Sequence, residues 1–131
     1  MIGLDTNVLV RYIMQDDAKQ APLANRLVES LSAESPGFVP LVALVELNWV
    51  LASAYGLDSE QIVQALEGLL RTREIVVEKA ETVWKALRMF QRTQADLADC
   101  LIERSAAAAG CARTMTFDRG AVKGCGMALV N

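Results

Sequence analysis

Histidine is absent from the 131 residues. Without imidazole there is no Ser-His-Asp or Cys-His nucleophile, no histidine-based ribonuclease chemistry and no histidine-containing zinc site. Any catalysis must run on carboxylates, hydroxyls, lysines or a metal held by oxygens. Cysteine is scarce too. Cys100, Cys111 and Cys125 are odd in number and lack close pairing, so neither a disulfide framework nor a zinc knuckle is expected. No apolar run reaches the roughly 20 residues that span a bilayer. The longest candidate follows Pro40 and is broken by Glu46 and Asn48. Near the N-terminus, Asp5 and Arg11 fall where a signal peptide would need unbroken apolar sequence. A cytoplasmic chain with no membrane association is the expectation.

The length suits one domain, residues 1–131, large enough to bury a substantial core. A hydrophobic fraction of 53% and a mean hydropathy of +0.25 are high for a small monomer, which suggests subunit or partner contact surface. The net charge of −3 and pI near 4.9 argue at first against nucleic acid. Bound divalent cations would reverse that balance locally. Arg88, Arg92, Arg104, Arg113, Arg119 and Lys123 gather late in the chain, either as phosphate contacts or as solvated helix faces.

Hydrophobic periodicity alternates strands and helices. Met1–Leu4 reads as a short strand, followed by helices over Val8–Met14 and Ala18–Leu31. Gly37–Val39 reads as a strand, and Pro40 suits the start of the helix that carries Glu46 and stops at Gly56. Asp58-x-x-Gln61 forms a capping pattern ahead of Ile62, Val63, Leu66, Leu69 and Leu70 at helical spacing. Glu74–Val77 is β-branched, Val83, Trp84, Leu87 and Phe90 mark a helix stripe, and Asp96 opens a helix ending at Gly110. Arg113–Phe117 and Met127–Val130 read as the last strands. Such alternation implies an α/β fold with a parallel sheet, whose ligands bind outside the carboxyl ends of the strands.

Acids interrupt this pattern at telling places. Glu46 is the only charge between Glu34 and Asp58 and sits inside Leu41-Val-Ala-Leu-Val-Glu46-Leu-Asn-Trp-Val-Leu, where burial without a partner would cost several kcal/mol. Asp5 and Asp118 each follow an apolar strand, where an aspartate can also cap a helix or start a turn. Asp96, Asp99 and Glu103 share one helix face, and three like charges there repel unless a cation lies among them. Asp96 suits the cap, leaving Asp99 as the ligand. Two strand ends and two helix faces carrying acids in a histidine-free chain suggest an all-oxygen Mg2+ or Mn2+ site.

In chain order, Leu4-Asp5-Thr6-Asn7, Glu46-Leu-Asn-Trp-Val-Leu, Asp96-Leu-Ala-Asp99-Cys-Leu-Ile and Thr116-Phe-Asp118-Arg119 resemble the PIN-domain ribonucleases. The resemblance spans the whole chain and is nearest to the VapC-type toxins of bacterial toxin–antitoxin pairs. It implies a three-layer α/β/α fold with a central parallel β-sheet and Mg2+- or Mn2+-dependent endoribonuclease activity. It also implies a homodimer and inhibition by a small cognate antitoxin protein. Asp5, Glu46, Asp99 and Asp118 correspond to the catalytic, metal-binding acids, and Asp96 to a position that is often acidic. Thr6, Asn7 and Thr116 match polar positions that orient the carboxylates or water, and Arg119 is a candidate phosphate contact. The alternative is a catalytically silent PIN-fold module that binds RNA or protein. A phosphorylatable receiver would need an acidic pair after its first strand, and a haloacid-dehalogenase phosphatase would need Asp-x-Asp. This chain has Asp5-Thr6-Asn7 there.

Overall fold

Strand β1, Ile2–Gly3, is ended by its own sequence: Leu4 continues the ladder by donating its backbone N–H to Phe38 O, and Asp5 then turns the chain into a helix. The computed structural model describes all 131 residues, which divide into two compact units, Met1–Glu78 and Lys79–Asn131.

In the first unit the order is β1, α1 (Thr6–Met14), α2 (Gln20–Glu29), β2 (Gly37–Val39), α3 (Leu41–Ser53), α4 (Ser59–Arg71) and β3 (Ile75–Val77). The strands form a parallel sheet of order β1-β2-β3, with Gly37 opposite both Ile2 and Ile75. Gly37 must be glycine: a Cβ there would lie 2.8 Å from Leu4 Cδ1 and 2.9 Å from Leu31 Cδ1. Helices α1 and α3 pack together, and Leu4, Leu9, Leu44, Leu47, Leu51 and Leu66 are fully buried. The predicted capping box is present, with Asp58 accepting from Gln61 N and the Gln61 side chain accepting from Asp58 N. Helix α2 begins later than its periodicity suggests. Asp17 accepts from the Lys19 and Gln20 amides, and those bonds hold its carboxyl below the ordinary value.

The second unit contains α5 (Ala80–Thr93), α6 (Leu97–Ala108), β4 (Met115–Thr116), α7 (Arg119–Cys125) and β5 (Ala128–Leu129). Helix α5 packs along α6, burying Val83, Ala86, Leu87, Leu97, Cys100 and Leu101. Strands β4 and β5 pair in parallel, Met115 opposite Ala128. Every strand pairing in the chain is therefore parallel, as an α/β fold requires.

Helix α7 is the element that periodicity does not reveal. It has seven residues, two of them glycine, and no apolar stripe long enough to register. One of those glycines sets the spacing of the unit. A Cβ on Gly124 would lie 2.6 Å from Ala95 Cβ, so α7 approaches the α5–α6 connection as closely as backbone allows. Asp96 follows Ala95 and Asp118 caps the other end of α7, and both line one cleft.

Candidate functional site

Asp5 has extended backbone and its Oδ1 accepts from Thr6 N at 2.7 Å, capping α1. The Thr6 hydroxyl in turn donates to Glu46 Oε1 at 2.8 Å, joining the start of α1 to the middle of α3. Asp5, Thr6, Asn7, Arg11 and Glu46 line a cleft of about 440 Å³ in the first unit. Arg11 was not anticipated. Its guanidinium donates from Nε to Gln20 Oε1 at 2.6 Å, reaches Asp16 at 3.8 Å, and supplies the cleft's positive charge. The available signal was its spacing, one helical turn after Asn7.

Glu46 departs from its expected setting. It is exposed, and so are its neighbours along that face, Val42 (70%) and Trp49 (56%). The core takes Ala43, Leu44, Leu47, Asn48 and Leu51 from the other side of α3. A helix that is apolar all round gives no sign of which face turns inward, so a carboxylate in its midst looked buried when it was not. The cost of burying an unpaired charge does not arise, and Glu46 is oriented by a hydroxyl instead.

In the second unit, Asp96 caps α6, with Oδ1 accepting from Asp99 N at 3.1 Å. Asp99 is thus the third residue of the helix, in its first turn. Asp118 caps α7 through Gly120 N at 2.8 Å, and its own N–H donates to Thr116 Oγ1 at 3.0 Å. Asp96, Asp99, Asp118 and Lys123 line a cleft of about 580 Å³ together with Gly120 and Gly124. Partial burial pushes the Asp99 carboxyl above the ordinary aspartate value, and the negative charges of Asp96 and then Asp118 push it further. Glu103, expected to add to this repulsion, is instead held by Arg104 through two bonds of 2.6 and 3.1 Å. Arg119 is exposed at the first position of α7, and Lys123, one turn later, is the cation that lines the cleft. Arg88 lies over the Trp84 ring at 5.0 Å.

A PIN domain model matches residues 2–124. The chain belongs to the PIN domain family. Its PIN match takes in both acidic clefts, from Asp5 through Asp118. The VapC ribonuclease of Aquifex aeolicus (strain VF5) is 26% identical over 116 residues, covering 88% of this chain and 86% of that protein. The α/β architecture with parallel strands agrees with PIN membership.

The acids of this PIN chain present only oxygens, the donor set preferred by Mg2+ and Mn2+. Within either unit, no group of three or more Asp, Glu or Cys side chains is close enough to hold an ion. A cation held within one unit would have fewer than three such side chains and would keep most of its waters, as Mg2+ does. Capping does not exclude it, because a cap engages one carboxylate oxygen of two. No helix is long and apolar enough to cross a membrane.

Proposed function

We propose that this PIN protein is a metal-dependent endoribonuclease of the VapC type that hydrolyses RNA phosphodiester bonds, and that it is the toxin of a toxin–antitoxin pair. Asp5, Glu46, Asp99 and Asp118 are the residues that would hold Mg2+ or Mn2+, with Asp96 as a further candidate ligand. The observation that carries this reading is the PIN match over residues 2–124, within which Asp96, Asp99 and Asp118 line one cleft. A cation in that cleft relieves the repulsion among them, and an RNA phosphate needs the same cation to approach so acidic a surface. PIN membership and the similarity to a protein named VapC ribonuclease support the substrate class.

When bound, the divalent ion supplies an attacking water of lowered pKa and neutralises charge on the leaving 3′-oxygen. The chain's own residues supply placement. The Thr6 hydroxyl fixes one Glu46 oxygen, and Thr116 Oγ1 fixes the backbone on which Asp118 sits. Lys123 and Arg119 bring positive charge to the helix that Asp118 opens, where they would meet phosphates. Arg11 does the same for the cleft of Asp5 and Glu46, and Asn7 adds a neutral amide there. Expected products carry 5′-phosphate and 3′-hydroxyl ends. We further propose that the two units act as a single PIN domain, that the protein works in the cytoplasm as a homodimer, and that a small cognate antitoxin restrains it.

A second reading, a silent PIN-fold module, draws on the fact that Asp5, Asp96 and Asp118 all cap helices and so have structural reasons to be present. Incubating the purified chain with labelled single-stranded RNA and Mn2+, with and without EDTA, separates the two. Cleavage that EDTA abolishes is expected. RNA left intact with Mn2+ present, or cut equally well in EDTA, rules the nuclease mechanism out.

A further inference from the structure

Phe117 is 82% exposed, more so than Met1 at the chain end, at 72%. Phenylalanine is ordinarily a core residue, although single exposed apolar side chains are common and by themselves say little. Two features set this one apart. Its backbone is pinned on both sides: Thr116 lies in the β4–β5 ladder and accepts from Asp118 N, and Asp118 accepts from Gly120 N. The exposed ring is therefore carried by a hydrogen-bonded segment. It is also one residue from Asp118, which shares a cleft with Asp96, Asp99 and Lys123. Phe117 is not itself in the lining, but an exposed aromatic face one residue from a carboxylate of that cleft matches the chemistry of a nucleotide, whose phosphate needs the charges and whose base needs a flat apolar partner.

We propose that Phe117 is a substrate-binding residue whose ring stacks on an unpaired RNA base next to the phosphodiester held at the Asp96–Asp99–Asp118 cleft. The assignment rests on the ribonuclease reading and adds a requirement for single-stranded substrate, because bases inside a duplex offer no free face. Base identity is not selected by stacking, since every base has such a face.

The test uses the full chain, a short single-stranded RNA and a copy of it carrying 2-aminopurine, whose fluorescence falls when it stacks. Phe117→Leu keeps the apolar bulk and removes the aromatic face, and Phe117→Tyr keeps the face. Phe117→Leu is expected to lower kcat/KM by about 10- to 100-fold, mostly through KM, with Phe117→Tyr close to the parent. In an Asp99→Asn background, 2-aminopurine quenching on binding is expected with Phe117 or Tyr and lost with Leu. A parent that cleaves while Phe117→Leu cleaves and quenches equally well overturns the stacking assignment and leaves the nuclease reading standing. A parent that cleaves nothing removes the nuclease reading, and the quenching comparison then decides stacking alone. If Phe117→Leu changes the elution volume of the protein but neither RNA measurement, the ring belongs to a protein interface and the assignment fails.

Discussion

The two acidic clefts solve the problem of gathered negative charge in opposite ways. In the first unit a neutral donor does the work: the Thr6 hydroxyl donates a hydrogen bond to Glu46, and Arg11 lines the same cleft. In the second, aspartates crowd one another, and Asp99 is pushed toward protonation by burial and by Asp96 and Asp118. The first arrangement orients its carboxylates through hydrogen bonds from Thr6. The second stores repulsion that a cation would discharge. Metal affinity should therefore depend most on the second unit, and the precise aim of the carboxylates on the first.

The largest effect is expected from Asp99→Asn. Loss of charge at the most strained acid should reduce RNA cleavage by about 100- to 1,000-fold, the scale of removing one electrostatic contact to a developing charge. The same variant should melt at a higher temperature than the parent at neutral pH. The sign follows from the direction of the shift. Asp99 has a folded-state pKa above its unfolded value, so between those two values the folded chain binds more protons and stability falls as pH rises. Above the folded value the penalty is fully present. It disappears as pH drops below the ordinary aspartate value of about 3.9, where the two melting curves should converge. A parent that is the more stable of the two at neutral pH would contradict the repulsion on which the comparison stands.

A smaller but sharper contrast lies in the first unit. Asp5→Asn keeps a side-chain oxygen to accept from Thr6 N, whereas Asp5→Ala loses the cap of α1. Both should lose cleavage to a similar degree. Only the alanine variant should lose stability, by roughly 0.5–2 kcal/mol in denaturant titration. Equal melting of the two variants would show that the cap contributes nothing.

The mildest test moves the acids of the second unit without touching them. Gly124→Ala places a methyl 2.6 Å from Ala95 Cβ, which must push α7 away from the α5–α6 connection. Overpacking of this kind costs about 1–3 kcal/mol. Moving Asp118 away from Asp99 removes the smallest of the three causes of its raised pKa, so the Asp99 carboxyl should fall only part of the way toward its ordinary value, readable by NMR titration. An unchanged Asp99 titration would mean that the crowding does not depend on this close approach.

Local chemistry was largely legible in the chain. Strand β2 has its predicted bounds, the capping box at Asp58 and Gln61 is present, and Asp96 is the cap that leaves Asp99 inward of it. Each depends on neighbours a few residues apart. What escaped were features set by distant contacts. Helix α7 is too short and too rich in glycine to form from propensity and exists through its packing. The side of α3 that carries Glu46 could not be read, because nearly every residue of that helix is apolar. Arg11 and Phe117 gave no signal by composition, and only their placement beside acids makes them noteworthy.

By itself the sequence determined the alternation of elements, the exclusion of imidazole chemistry and the identity of the acids, since these follow from residue type and short-range spacing. Tertiary structure alone decided that Asp99 is partly buried in a cleft shared with Asp96 and Asp118. That outcome needs α7 to pack against the α5–α6 connection, a close approach that Gly124 permits and no local pattern encodes.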